Sequence, residues 1–330
     1  MILTRNRIRI GRAPRSIAAI LGAMMAMLLT ATPAYSQDAG DRRFDEYTWL
    51  TTHNSYANYE DARWSHVMQS HSIVRQLDNG VRGLMLDAHW FAGSGDALCA
   101  ISLGTDCYGP GVYMCHGSCS GGAGFSYALP RRTLTETLNE IGQWLQENPT
   151  EIVTIFLEDR TSDGQLINPI VMADKALPLI FDPESDDWYV QARGWPPLLW
   201  MRQNNKRLVI FTSEYQNRSF LARARNDYAV ENTFDLGALG QDIACESRNN
   251  VPLDKTEANW NRLFIMNHFR RTPTPAGAAI DNQFDKLNSR VFDKCLSAAG
   301  KLPNYVAVDY YELGDAKLVV DHMNRTRQLP

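Results

Sequence analysis

Short apolar runs that end on a polar, chemically capable side chain recur along this sequence, and that recurrence limits the folds open to it. Tyr47 to Thr51 has strand character and delivers Thr52-His53-Asn54-Ser55-Tyr56. Gly83-Leu84-Met85-Leu86 ends on Asp87, with His89-Trp90 beyond, and Val112 to Cys115 ends on His116-Gly117. Glu151 to Leu157 is a β-branched, apolar run of the kind buried on both faces, and it ends on Glu158-Asp159-Arg160. Arg207 to Phe211 leads to Thr212-Ser213-Glu214, Leu263 to Met266 to Asn267-His268, and Tyr305 to Val308 to Asp309-Tyr310-Tyr311; Tyr228 to Val230 is a weakly marked strand.

Helical patterns lie between the runs. Ser65 to Asn79 reads as a helix with Val67, Ile73, Val74 and Leu77 on its apolar face and Gly80 as its cap. Thr133 to Asn148 is the clearest helix, with Leu134, Leu138, Ile141 and Leu145 at helical spacing and Thr133 and Glu136 as a capping box. A last helix runs from about Asp315 to Arg327. About eight strands alternating with helices or long connections predict an α/β fold, a distorted TIM (β/α)8 barrel filled by one domain. A doubly wound open sheet competes, but it would gather only the chemical side chains at its switch point, whereas a barrel brings every strand end onto one face. The weak sixth strand predicts an irregular or incompletely closed barrel.

The first 36 residues differ in kind: five arginines up to Arg15 precede an uncharged apolar run from Ile17 to Leu29, then Ala34-Tyr35-Ser36. This is the pattern of an export signal cleaved after Ser36, giving residues 1–36 as signal peptide and 37–330 as the barrel. The competing membrane anchor would need roughly 20 apolar residues. Cleavage would move the formal charge from -4 to -9. So acidic a chain argues against a nucleic-acid partner. All six cysteines (Cys99, Cys107, Cys115, Cys119, Cys245, Cys295) follow the signal, so disulfides are expected in a secreted or periplasmic protein. The expected pairing is within the first four plus Cys245 to Cys295, with about 15 connectivities formally open. A metal site of Cys115, His116 and Cys119 is the competing reading.

Thr52-His53-Asn54-Ser55-Tyr56, Gly80-Val81-Arg82-Gly83-Leu84-Met85-Leu86-Asp87, Cys115-His116-Gly117, the Glu151 to Asp159 strand and Asn304-Tyr305-Val306-Ala307-Val308-Asp309 together resemble the X-domain of phosphatidylinositol-specific phospholipases C, and within it the secreted single-domain phosphodiesterases. The resemblance covers nearly the whole chain after the signal and implies a distorted TIM barrel that cleaves a phosphodiester by attack of a neighbouring hydroxyl. The implied substrate is a phospholipid or a soluble phosphodiester, met as a monomer with transient contact to a membrane surface. A glycerophosphodiester or sphingolipid phosphodiesterase, or an inactive binding protein on the same barrel, are the other readings.

Such a reaction needs a base for the attacking hydroxyl and an acid for the leaving oxygen, tasks suited to two near-neutral imidazoles. The resemblance makes His53 the base and His116 the acid, with Asp309, which a closed barrel brings beside the first strand, holding the His53 tautomer. It also bears on charge stabilisation. The metal-independent bacterial branch of the family has basic side chains where this chain has Asp87 and Glu158. The calcium-dependent branch has carboxylates at both places and an Asn after the first histidine, so Asn54, Asp87 and Glu158 are expected to hold Ca2+. Met85 departs from that pattern, which has a further carboxylate there, and a thioether is a poor calcium ligand. The competing reading pairs Asp87 and Glu158 with Arg82 or Arg160. Arg82, His89, His268 and the Trp195-Pro196-Pro197-Leu198-Leu199-Trp200 segment read as structural.

Overall fold

The longer barrel strands are apolar on both faces, yet alternation sorts their side chains into two separate cores. In the computed structural model, which describes residues 42–61, 67–93, 109–116, 119, 132–162, 164–213, 223–238, 241 and 244–327, nine strands share one sheet. They are β1 (Trp49–Thr52), β2 (Gly83–Phe91), β3 (Gly111–Met114), β4 (Val153–Arg160), β5 (Leu208–Thr212), β6 (Arg223–Ala224), β7 (Ala229–Glu231), β8 (Leu263–His268) and β9 (Tyr305–Val308). The order β6-β5-β4-β2-β1-β9-β8-β7 is parallel at every pairing, and β3 pairs with β2 off this path. Among the described residues no ladder joins β6 to β7, so the parallel strands form a curled, incompletely closed TIM-like barrel, an α/β single domain as expected.

Val153, Ile155 and Leu157 of β4, Leu84 and Leu86 of β2 and Val306 and Val308 of β9 face the surrounding helices. Phe156, Met85, Tyr305 and Ala307 belong to a second core inside the barrel, with Trp49, Val209, Phe211, Ala229, Leu263 and Ile265. Phe156 meets Tyr305 edge-on at 4.8 Å, and Thr154 shares a 2.8 Å hydrogen bond with the Tyr305 hydroxyl. Trp195 is fully buried in this core and its indole N–H donates to the Asn261 carbonyl, so the Trp-Pro-Pro segment packs inward at that end. A Cβ on Gly83 would lie 2.2 Å from Thr51 Oγ1, which is why glycine stands where β1 and β2 meet.

The Leu134–Glu147 helix is capped as read: Thr133 Oγ1 accepts from the Glu136 N–H and the Glu136 carboxylate accepts from the Thr133 N–H. The helix expected from Ser65 is shorter, Ile73–Asp78. The backbone N–H groups of Met68 and Gln69 both donate to the Ala57 carbonyl, which takes them out of a helical ladder. The expected third barrel strand is also corrected. Because β1 stops after four residues, the edge of β2 beyond Leu84 is left open, and β3 runs antiparallel along it from Phe91↔Gly111 to Ala88↔Met114. Its barrel place is taken by β6, two residues with no sequence signature of a strand.

Disulfides join Cys245 to Cys295 and Cys115 to Cys119, and the latter excludes the cysteine metal site. The signal segment, His66, Cys99, Cys107 and the Gly121 to Gly124 run lie outside the described residues. Loop-closure entropy predicts that Cys245→Ala/Cys295→Ala costs about 4 kcal/mol and Cys115→Ala/Cys119→Ala about 2 kcal/mol, read from urea unfolding midpoints. Arg82 is structural, bound to Glu151 at 2.7 Å and to the Leu77 and Val81 carbonyls, with Trp144 beneath its guanidinium.

Candidate active site

The inward parity that fills the barrel core continues one residue past the strands and sets the pocket at their carboxyl ends. β1 and β9 pair through Thr52↔Val308, so the next residues, His53 and Asp309, stand side by side. His53 Nδ1 is 2.8 Å from Asp309 Oδ1, and the His53 N–H donates to the Val308 carbonyl. The chain then turns sharply at both strand ends, with Asn54 at φ 45° and Tyr310 at φ 43°. Asn accepts this left-handed region readily, whereas for a bulky Tyr it is strained. Gln69 ties the two ends together by donating to the carbonyls of His53 and Val308. The imidazole of His53 lies flat on Phe269, centroids 3.8 Å apart and planes 3° from parallel.

Burial raises the pKa of Asp309, and the neighbouring His53 charge only partly opposes it. With Nδ1–H donating to Asp309, His53 presents the lone pair of Nε2. That is the form a general base requires.

His116 has the same arrangement on another wall. Its Nδ1 lies 2.7 Å from Asp87 Oδ2, which also accepts from the Tyr56 hydroxyl at 2.9 Å, and the Asn54 amide is 3.3 Å from the same nitrogen. The hydrogen bond to Asp87 raises the His116 pKa above the ordinary imidazole value, more than burial lowers it. A protonated imidazole with Nδ1 held by a carboxylate presents Nε2–H as an acid. Burial, with Asp87 beside it, raises Tyr56 well above an ordinary phenol, so it stays a donor.

Register places Asp87 opposite Glu158 on β2 and β4. Glu158 hydrogen-bonds Arg160 at 2.6 Å; burial raises its carboxyl, but Arg160, Arg248 and His116 together hold it below the usual range. One pocket of about 240 Å³ is lined by His53, Asn54, Met85, Asp87, His116 and Glu158, with Asp309 behind His53. Its far wall was not anticipated from sequence. Glu231, buried at the end of β7, receives Arg225 at 3.1 Å, Arg248 at 2.9 Å and Asn267 at 2.8 Å. Arg248 lies over the Phe234 ring at 5.1 Å, and Phe234 stacks on Phe269 at 5.9 Å. The weak marking of β7 concealed Glu231. Inward parity along β8 (Leu263, Ile265, Asn267) would have pointed to Phe269.

The expected calcium ligands share this pocket, where both carboxylates also have protein partners. Asp87 accepts from His116 and Tyr56, Glu158 is paired with Arg160, and Met85 lines the pocket beside them. Among the described residues no three His, Cys, Asp or Glu side chains are grouped to hold a metal. His89 lies on β2 with its pKa lowered by burial, and the buried His268 places Nε2 2.9 Å from the Asp281 carbonyl oxygen.

Comparison with known proteins agrees with the fold. The chain is 28% identical over 293 residues to a PI-PLC X domain-containing protein of Arabidopsis thaliana, covering 86% of this chain and 62% of that one. It is 20% identical over 261 residues to an uncharacterized secreted protein of Arthroderma benhamiae, covering 75% of this chain and 53% of that one. It thus spans somewhat over half the length of these relatives. Among solved structures, a substituted form of the phosphatidylinositol-specific phospholipase C from Staphylococcus aureus superposes with a TM-score of 0.51 at 10% identity, covering 86% of this chain and 93% of that one. A family model described as PI-PLC X 1 matches residues 39–324, and the chain therefore belongs to the PI-PLC X family.

Proposed function

We propose that the protein is an exported phosphodiesterase that cleaves phosphatidylinositol-type phosphodiesters through a cyclic phosphate. The observation that carries this is the pair of imidazoles on one pocket, each with Nδ1 against a buried carboxylate, His53 on Asp309 and His116 on Asp87. His53 Nε2 takes the proton from the hydroxyl beside the phosphate, and the freed oxygen attacks phosphorus. As the bond to the leaving oxygen breaks, His116 Nε2 gives that oxygen its proton. Water opening the cyclic product would use the two residues in reversed roles. Asp309 stabilises the His53 imidazolium as it forms. Arg248 and Arg225, on the facing wall, supply positive charge toward the phosphorane oxygens. Export is proposed with it, supported by the disulfides, the arginine-led leader and the secreted relative. No described helix is long and apolar enough to cross a membrane.

The test is to incubate pure protein with phosphatidylinositol vesicles and follow phosphorus resonances. A cyclic inositol phosphate, absent with His53→Ala, supports the reading; no turnover of this or any other phosphodiester supplied rejects it in favour of a binding protein.

Calcium is the second reading, favoured by the side-by-side placement of Asp87 and Glu158 with Asn54 in the same pocket. An ion there would share the two carboxylates with the donors on Asp87 Oδ2 and Glu158 Oε1, His116, Tyr56 and Arg160. The expected result in excess chelator is turnover within about threefold of the untreated enzyme, with the arginines carrying the phosphorane charge. Loss of turnover that calcium restores would instead assign that charge to an ion on Asn54, Asp87 and Glu158.

A further inference from the structure

The two imidazoles are supported differently. His53 leaves a strand paired on both sides, by β2 and by β9. His116 follows β3, which lies off the barrel path and pairs with β2 along one edge, the other edge meeting an isolated bridge, Tyr113↔Thr133, and a bond from the Met114 N–H to the Arg132 carbonyl. The last β2–β3 register pair is Ala88↔Met114, and beyond it a single backbone bond, from the Cys115 N–H to the Asp87 carbonyl, holds the chain at 3.2 Å. His116 therefore stands two residues past the end of β3, with its side chain 41% exposed. It is more open than His53, whose side chain is 18% exposed.

What closes around it is covalent. The Cys115–Cys119 bond spans a sequence separation of four and encloses His116 in its ring. Both cysteines are buried, at 1% and 4% exposure, and pack with Phe91 and Tyr113, which meet edge to face at 5.8 Å. Phe91 is the last residue of β2 and Tyr113 belongs to β3, so the two cysteines are seated on the hairpin. Asp87, the partner of the His116 imidazole, lies on the same β2. A ring this short removes little entropy from the unfolded chain compared with the Cys245–Cys295 loop. Its constraint falls within the short ring, of which His116 is the first enclosed residue.

We infer that the Cys115–Cys119 disulfide is a positioning element for His116: it holds the imidazole against Asp87 with Nε2 toward the leaving oxygen, so the acid half of the reaction depends on the oxidised bond. This rests on the functional reading above. A dithiol reductant, itself oxidised to a cyclic disulfide, breaks the S–S bond, leaves thiols on Cys115 and Cys119, and releases the ring. Base catalysis by His53 does not pass through this bond.

Leaving-group dependence distinguishes this from a merely structural staple. The full chain, Cys115→Ala/Cys119→Ala and Cys245→Ala/Cys295→Ala are compared on phosphatidylinositol, whose leaving alkoxide needs a proton, and on a nitrophenyl ester of inositol phosphate, whose leaving phenolate does not. The expected result for Cys115→Ala/Cys119→Ala is a kcat loss of about 100-fold on the lipid. Its KM, and its rate on the nitrophenyl ester, should stay within about threefold. The other double variant should retain the wild-type ratio of the two rates. Equal losses on both substrates, or none on the lipid, would overturn the inference.

An activity-independent readout keeps it testable if wild type turns over neither substrate, a result that would count against the functional reading alone. In 15N-histidine-labelled protein, the hydrogen-bonded Nδ1–H proton of His116, assigned by its absence in His116→Ala, should vanish in Cys115→Ala/Cys119→Ala and survive in Cys245→Ala/Cys295→Ala. Should the first double variant not fold, titrating wild type with a dithiol serves instead. Loss of that proton while the amide spectrum stays folded supports the inference, and its persistence after the Cys115–Cys119 bond is reduced, as judged by thiol labelling, overturns it.

Discussion

His53→Ala should lower kcat/KM on phosphatidylinositol by about 1,000- to 10,000-fold, with the melting temperature nearly unchanged. The ring is partly exposed, and its loss removes the stack on Phe269 and the bond to Asp309, whose carboxyl, raised by burial, is accommodated in its protonated form. What disappears is, among the described residues, the imidazole bonded to Asp309 with Nε2 toward the pocket. Asp309→Asn is the companion variant: an amide can hold the ring in place but no longer offsets the imidazolium charge, so kcat should fall while KM stays near wild type. Steady-state kinetics on vesicles of fixed composition, with thermal melts of each variant, check both. A His53→Ala enzyme within tenfold of wild type would remove His53 from the mechanism.

Glu231→Ala should cost about 3–5 kcal/mol of stability, a fall in melting temperature on the order of 10 °C. Glu231 is 4% exposed and is the shared anion between Arg225 and Arg248; without it two guanidiniums face one another in a poorly hydrated wall. Burial raises the Glu231 carboxyl, but the Arg225 and Arg248 charges outweigh it and leave the pKa below the ordinary value. The unfolded chain then binds more protons than the folded one between those two values, so stability rises with pH across that interval. This contribution is complete above the ordinary glutamate range and is lost as pH falls through the folded value. Glu231→Gln should flatten that acid limb, and adding Arg225→Met to Glu231→Ala should recover part of the loss, both measured by urea unfolding from pH 3 to 7. A pH-independent deficit would indicate packing rather than charge.

Among the residues singled out in advance, His53, Asn54, Asp87, His116 and Glu158 were legible because each follows an apolar run, and a parallel barrel gathers strand ends on one face. Their partners were less so. Asp87, expected as a cation ligand, hydrogen-bonds His116 across the β2–β3 hairpin, a contact set by an antiparallel strand that local pattern reads like any barrel strand. Glu231 and its arginines were hidden because a three-residue strand carries almost no periodicity. The helix expected from Ser65 shortened because residues 68 and 69 bond to Ala57, a non-local choice invisible to helical spacing.

By itself, then, the sequence determined most element types, the capping of Leu134–Glu147 and which polar side chains follow the strands into the pocket, all consequences of local pattern and composition. Only the tertiary structure decided which carboxylate serves which imidazole and which charges face them. A strand buried on both faces carries no mark of which parity points inward, and that choice is made when neighbouring strands lock in register.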